Sequence, residues 1–252
     1  MRTYIYFLLT VHFLNLCGNS FAQHSITLLT YNIRNAKGMD NSINYDRTAA
    51  VIKNADADIT ALQEVDSATR RSGNKDVLKI LATKTGRHLL YGPAIPYQDG
   101  KYGVGILSKK KASSYYTLPL PGREEERVLL VAVFKKYVIF CTHLSLTAAD
   151  ALASAAIINK ESEKFKKPIY LLGDLNSMPG SDVVALLQQK WTLLSGEAFT
   201  FPADAPTRCI DYIFVLNNTA VTVESKKVLD EPITSDHRPV VVRVKRTGIS
   251  RL

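Results

Sequence analysis

The segment "LLGDLNSMPG", residues 171–180, decides how the rest of the sequence is interpreted. Together with the preceding "PIY" it forms a continuous apolar run that ends in Asp174 and Asn176, two residues apart. A short apolar run bounded by turn residues is typical of a buried strand. Side chains two residues apart in an extended segment point the same way, so both polar groups are expected on one side. A lone carboxylate at a strand end is a turn former or a helix cap just as often as it is a catalytic group. The residues at the other strand ends must therefore show whether Asp174 is part of a site.

Several other predicted strands begin or end with side chains suited to metal and phosphate chemistry. The set comprises Asn32 in "TYN", Glu64 in "ALQE", His143 in "CTH", Asp211 in "IDYIF", and Asp236 with His237 in "SDH". Each residue alone is weak evidence, because an isolated histidine or carboxylate is usually structural. Their repeated placement at strand ends indicates one shared site.

A phosphoester would explain why such residues gather. Its charged oxygens repel a nucleophile, so hydrolysis needs a hard cation, donors for the phosphate and an oriented water. Glu64 and Asp236 offer the carboxylate oxygens that Mg²⁺ or Mn²⁺ prefers. Asn32 and Asn176 can ligate or orient without adding charge, and Asp174 could act as a base toward water.

Strand-like and helix-like segments alternate along the chain, and we predict one domain over residues 23–252. Helices are predicted over 45–53, 76–86 and 147–165, and over "DVVALLQQ" after the cap residue Ser181. Thr147 and Asp150 predict a capping-box-like start for the third helix. Only two lysines separate Phe134 from Tyr137, which predicts a hairpin.

The first 22 residues have the pattern of a secretory signal peptide. Arg2 precedes an apolar stretch, and "NSFA" ends in a small-residue site, so we expect cleavage after Ala22 and a secreted or periplasmic protein. A membrane anchor is the alternative, but the run is short and contains His12 and Asn15. Lipidation at Cys17 is disfavoured by the large Leu16 before it.

Charge and cysteine content add two weaker constraints. The net charge of +9 favours polyanionic partners, although many of the lysines lie where a solvated turn is expected. Beyond the leader, Cys141 and Cys209 could form one disulfide, but Cys141 lies in an apolar strand where a buried thiol is expected. The sequence contains no CxxC or Cys/His zinc pattern.

The ordered set of motifs is far more specific than its parts. In chain order, "TYNIR", "LQEV", "THLS", "GDLNS", "IDYIF" and "SDHRPV" resemble the endonuclease/exonuclease/phosphatase superfamily, which includes DNase I-like nucleases, inositol-phosphate phosphatases and bacterial sphingomyelinases. The resemblance implies an α/β fold, a four-layer α/β/β/α sandwich of two packed mixed β-sheets flanked by helices, with the site at one end. Alternation of strands and helices alone would not choose this fold over a doubly wound sheet.

The resemblance also implies how the metal and the attacking water would be held. Glu64 resembles the main metal ligand, with Asn32 beside it and Asp236 joining. Asp174 and Asn176 match the pair that orients and activates the water.

Phosphate contacts follow from the same resemblance. His237 would bind the phosphate, with Asp211 fixing its tautomer, and His143 would contact the substrate and act as an acid for the leaving group. Arg127 resembles a position where many bacterial members carry an arginine that could contact phosphate. An exposed ion pair with one of the residues 124–126 is an equally good interpretation.

The expected function is therefore an exported, Mg²⁺- or Mn²⁺-dependent phosphoesterase acting on a phosphodiester or phosphomonoester. The substrate stays open between nucleic acid, a phospholipid headgroup and a sugar phosphate. The alternatives are a secreted DNase I-like endonuclease and a sphingomyelinase or phospholipase C-like hydrolase, with an inactive binding protein of the same fold less favoured. No stable protein partner is implied, and a monomer is expected.

Overall fold

The computed structural model describes residues 25–247, which form twelve strands and four α-helices. The expected signal peptide and its cleavage site lie outside the described residues. The strands, numbered in chain order, are β1 Ser25–Asn32, β2 Ile59–Ser67, β3 His88–Tyr97, β4 Gly100–Ser108, β5 Ser114–Leu120, β6 Arg127–Val133, β7 Val138–His143, β8 Ile169–Asp174, β9 Trp191–Leu193, β10 Asp211–Leu216, β11 Val221–Val228 and β12 Val240–Arg246. The helices are α1 Tyr45–Ala55, α2 Val77–Thr85, α3 Ala148–Ser162 and α4 Asp182–Gln188.

The strands form two six-stranded sheets. The first has the order β11-β12-β1-β2-β4-β3, and the second has the order β5-β6-β7-β8-β10-β9. Each sheet contains one parallel pair among antiparallel neighbours, β1 with β2 in the first and β7 with β8 in the second. Both sheets are therefore mixed, as predicted.

Three apolar layers hold the sandwich together. The central layer lies between the sheets, where Leu28 of β1 and Leu172 of β8 belong to one buried cluster. Helices α1 and α2 cover the outer face of the first sheet through residues such as Ile52, while α3 and α4 cover the second through residues such as Ile158. Because burying one such side chain contributes about 1.5–3 kcal/mol, these layers supply the main stabilisation. The four-layer α/β/β/α prediction is confirmed.

Close packing explains the glycines of "YGVGILS" in β4. A Cβ atom added to Gly103 would lie 2.1 Å from the carbonyl oxygen of Gly92 in β3, and one added to Gly105 would lie 2.8 Å from the side chain of Leu78. A larger residue would thus push β3 or α2 away from the sheet.

Helix caps agree with the sequence at one predicted position and differ at another. Ser181 accepts a hydrogen bond from the Val184 amide and caps α4, as predicted. The capping box at α3 was wrong, because the Thr147 side chain makes no cap bond. Its hydroxyl donates instead to Glu124, while Asp150 pairs with Arg123.

Two further features bear on the sequence expectations. Among residues 25–247, no helix has the length and apolar character needed to span a membrane. Cys141 and Cys209 are both buried free thiols, and burial raises the pKa of Cys141 to about 12. The optional disulfide is therefore not formed.

Candidate active site

The sheet topology delivers the predicted residues to one end of the sandwich. Asn32 and Glu64 lie toward the carboxyl ends of the parallel strands β1 and β2. His143 and Asp174 are paired in register at the carboxyl ends of the parallel strands β7 and β8. Antiparallel β10 begins opposite Asp174 with Asp211. Parallel strands place their carboxyl ends at the same edge of a sheet. Each of the two sheets therefore supplies site residues from one such edge.

The loop before β12 supplies the remaining two residues. Val240 pairs antiparallel with Thr30 of β1, so the residues preceding β12 lie beside the end of β1. The Ser235 hydroxyl donates to the backbone oxygen of Asn32 at 2.7 Å and fixes this approach. Asp236 and His237 follow directly in the sequence.

Asn32 links the two sheets within the site. Its side chain is fully buried, and its Nδ2 lies 3.1 Å from Glu64 Oε1 and 3.1 Å from Asp174 Oδ2. The amide oxygen accepts the backbone N–H of Arg34 at 3.1 Å. In this arrangement Asn32 orients two carboxylates, and its predicted role as a metal ligand stays a prediction.

Glu64 owes its position to a β-bulge. The register of β2 against β4 shifts between Leu62 and Val65, and Glu64 has a φ of +57°, which is unusual for a residue other than glycine. Burial raises the pKa of Glu64, and repulsion from Asp236 and Asp174 raises it further. The hydrogen bond from Asn32 acts in the opposite direction but does not cancel these effects. An oxygen-rich cluster whose carboxylates repel one another has the chemistry of a divalent-cation site.

His237 lies in a chain of charged contacts. Its Nδ1 is 2.9 Å from Asp211 Oδ2, and its Nε2 is 3.6 Å from Asp174 Oδ2. Burial alone would lower the pKa of His237, but the charges of Asp211 and Asp174 raise it well above its usual value. The imidazole is therefore held as a cation whose Nε2–H can be donated into the site.

Asp174, Asp211 and His237 also offer ligand atoms that all lie within 4.8 Å of one another. A charged imidazole has a proton on each nitrogen and no free lone pair for a metal. A cationic His237 would leave this trio to proton and phosphate contacts, and the metal-ligand roles of Glu64 and Asp236 stay a prediction.

Asn176 reaches the site by a turn and not along a strand. Strand β8 ends at Asp174, and Asn176 has a φ of +47°, so the expectation of one extended segment was wrong. Its backbone N–H donates to Asp174 Oδ1 at 2.9 Å, which closes an Asx turn. Its Nδ2 then lies 3.1 Å from His143 Nε2 and 2.9 Å from the Leu144 carbonyl oxygen.

His143 has the opposite electrostatic character to His237. It is buried, and burial lowers its pKa to about 4 although Asp174 lies nearby. Its Nε2 is 3.5 Å from Asp174 Oδ2. One neutral and one cationic imidazole thus face the same carboxylate.

Arg127 makes the predicted ion pair but is buried, with only 7% of its surface exposed. Its Nη1 lies 2.8 Å from Glu125, and its Nη2 lies 3.7 Å from Glu124. Among the described residues, its buried Nε has no hydrogen-bond partner. Arg127 lines a small cleft together with His143.

Two further residues, Thr200 and Phe201, help to position Asp211 and His237. Thr200 donates to Asp211 Oδ2 at 2.6 Å, and the Phe201 ring packs 4.8 Å from the His237 ring. Both lie in "TFPADAPTRCIDY", whose proximity to Asp211 was the one available signal.

Comparisons with known proteins identify the family. A model of the Endonuclease/Exonuclease/phosphatase family matches residues 29–237, which include every predicted site residue. No curated protein matches the chain.

Solved structures share the fold at low sequence identity. An endonuclease/exonuclease/phosphatase from Bacteroides vulgatus is 19% identical, with 89% of this chain and 100% of that chain covered and a TM-score of 0.74. A mannosyl-6-phosphatase from Bacteroides thetaiotaomicron is 19% identical, with coverages of 87% and 99% and a TM-score of 0.70. The human Nocturnin catalytic domain with bound sulfate is 18% identical, with coverages of 88% and 94% and a TM-score of 0.68. Since the family model spans most of the sequence, the chain belongs to the Endonuclease/Exonuclease/phosphatase family.

Proposed function

We propose that the protein is a divalent-metal-dependent phosphoesterase that hydrolyses a P–O bond by attack of water. Members of its family are hydrolases acting on phosphoester bonds. The observation that carries the proposal is the contact of one buried amide, Asn32, with carboxylates from both sheets, beside a cationic histidine. Carboxylates, an oriented amide and a charged donor are the groups that phosphoester hydrolysis requires.

The residues present fit Mg²⁺ or Mn²⁺. Glu64 and Asp236 would hold the ion, because both are carboxylates and the charge of Asp236 contributes to the raised pKa of Glu64. Such an ion supplies positive charge that polarises a phosphoryl oxygen. Arg34, 3.4 Å from Asp236, would help orient that carboxylate.

Other residues of the site would transfer the proton of the attacking water and contact the phosphate. Asp174, held by Asn32 and by the Asn176 amide, would accept a proton from the attacking water. His237 would donate its Nε2–H to a phosphoryl oxygen while Asp211 holds the ring. Arg127 and His143 would contact the phosphate or the leaving group from the adjacent cleft.

A secreted endonuclease is the main rival. The net charge of +9 favours it, whereas the sequence lacks the interleaved aromatic and basic residues of a single-strand binding groove. A small phosphoester, such as a sugar phosphate or headgroup, is therefore our preferred substrate class. Export and a monomeric state belong to the same proposal and rest on the leader sequence and the single predicted domain.

The test is a substrate panel assayed with Mg²⁺, Mn²⁺, Ca²⁺ or EDTA. We expect turnover of sugar phosphates or headgroup esters with Mg²⁺ or Mn²⁺ and none in EDTA, with plasmid cleaved slowly.

Asp174→Asn should fold normally but reduce kcat by about 10²-fold or more, since it removes the proposed base. Asp182→Asn, an exposed change at the start of α4, is the matched control. Near-normal rates in Asp174→Asn would overturn its role, and turnover of plasmid alone would favour the nuclease.

A further inference from the structure

The arginines of the described chain differ sharply in how their charge is balanced. Eleven arginines lie within residues 25–247. Nine of them have a carboxylate oxygen within 4.0 Å: Arg34, Arg47, Arg70, Arg71, Arg87, Arg123, Arg127, Arg238 and Arg243. Arg208 and Arg246 are the two exceptions within this range. A guanidinium that lacks a carboxylate partner can pair with an anionic ligand without first breaking an ion pair.

Arg208 belongs to the loop between β9 and β10, which packs against His237 through Phe201. Its guanidinium carbon lies 4.5 Å from the centre of the Phe201 ring, and that ring lies 4.8 Å from the His237 ring. The guanidinium is therefore no farther from His237 than the sum of these two distances. Arg246, by contrast, ends β12 beside the start of β1, at the opposite end of the sandwich.

The stack is fixed by backbone contacts. Phe201 and Arg208 form an isolated antiparallel bridge, with N–H to oxygen bonds of 2.9 and 3.0 Å. The Ala203 amide donates to the Asp236 backbone oxygen at 2.7 Å, and the Arg238 amide donates to the Thr200 backbone oxygen at 2.7 Å. These bonds tie the Arg208 loop to the segment that carries Asp236 and His237.

We propose that Arg208 recognises a second anionic group on the substrate, separate from the phosphate that meets His237. This inference rests on the proposed function and narrows its substrate class to phosphoesters that carry another negative charge. Stacking on Phe201 orders the guanidinium but does not neutralise it, so little entropy is lost when an anion binds. A guanidinium donates two parallel hydrogen bonds to phosphate or carboxylate oxygens, which suits either kind of anion.

Matched substrate pairs test the proposal and separate two sources of the second charge. One pair is fructose 1,6-bisphosphate and fructose 6-phosphate, and the other is a dinucleotide with and without a 5′-phosphate. The ratio of kcat/KM values within each pair is measured for wild type, Arg208→Gln, Arg208→Lys and Arg246→Gln. In the pair that resembles the natural substrate, Arg208→Gln should lower the ratio of kcat/KM values, taken as the member with the second anionic group over the member without it, about 10- to 100-fold. Arg208→Lys should lower it less, and Arg246→Gln should keep the wild-type ratio.

A binding measurement keeps the test independent of turnover. Calorimetric titration of both members of each pair into Asp174→Asn, with and without Arg208→Gln, should show the same change in relative affinity. An unchanged ratio in Arg208→Gln for both pairs, or an equal fall in Arg246→Gln, would overturn the proposal. Wild-type protein without phosphoesterase activity would instead refute the proposed function, while the titration would still decide whether Arg208 binds the second anion.

Discussion

The backbone at Asn176 determines how well its role could be foreseen. Asp174 and Asn176 were identified from the sequence because an apolar strand ended in polar residues. Their relative geometry was not predicted correctly, because a positive φ at Asn176 turns the chain where an extended segment was expected. Asparagine tolerates this conformation, yet it adopts it only when the surrounding contacts require it. Here the Asx bond to Asp174 and the contacts with Leu144 and His143 supply that requirement.

Thr200 gives a prediction about one hydroxyl. It donates to the same Asp211 oxygen that faces His237, so it limits the movement of that carboxylate. Thr200→Val keeps the shape but removes the donor, and we expect kcat to fall about 10-fold with KM little changed, since hydrogen bonds to charged groups contribute about 1.5–3 kcal/mol. Thr200→Ser should restore most of the rate. In proton NMR spectra, the low-field Nδ1–H signal of His237 should weaken in Thr200→Val and return in Thr200→Ser. Equal rates and spectra in the two variants would show that the hydroxyl has no positioning role.

Secondary-structure elements were predicted best where the local sequence alone determines them. Ser181 caps α4 because no other group competes for its hydroxyl in the described structure. Thr147 fails as a cap because Glu124, more than twenty residues earlier, accepts its hydroxyl and that of Ser145. Glu124 also accepts the Leu146 amide, so it connects the segment before β6 with the loop after β7. No pattern around Thr147 could reveal a partner from another element.

Glu124 should therefore make stability depend on pH. Burial would raise its pKa, but hydrogen bonds from Ser145, from Thr147 and from the Glu124 and Leu146 amides outweigh burial and lower it to about 2. Because the folded pKa is depressed, the stabilisation is present above the unfolded value near 4.5 and is lost as pH falls toward 2. At pH 7, Glu124→Gln should lower Tm by roughly 2–4 °C, and the difference from wild type should shrink below about pH 4.5.

Glu126, two residues further along the chain, offers a matched control, since it is exposed and has no ion pair within the described residues. Calorimetric scans from pH 3 to pH 8 should show little change for Glu126→Gln. A pH-independent difference for Glu124→Gln would mean that the carboxylate charge is not what holds the two loops together.

At the scale of the whole molecule, the fold followed from the order of the motifs and not from local patterns. Alternating strands and helices fit a doubly wound sheet equally well. The decisive contact joins Asn32 to Asp174, 142 residues apart and in different sheets, so no local window contains both. Likewise, the sequence does not reveal that Arg208 lacks a carboxylate partner among the described residues, because the ion pairs of the other arginines, such as Arg34 with Asp236 and Arg238 with Asp230, form only in the folded structure.

Metal binding should be visible in the stability of the whole fold. Asp174 and Asp236 repel the charge of Glu64 in the folded protein, and a bound cation would relieve that repulsion. Free metal at 100 times its Kd stabilises the folded state by about 2.7 kcal/mol. Adding Mg²⁺ or Mn²⁺ after EDTA treatment should therefore raise Tm by several degrees. Glu64→Gln should lose most of this shift, and NaCl at equal ionic strength should not reproduce it. The same shift in Glu64→Gln would place the ion elsewhere, and no shift in wild type at millimolar metal would refute a tight divalent site among these carboxylates.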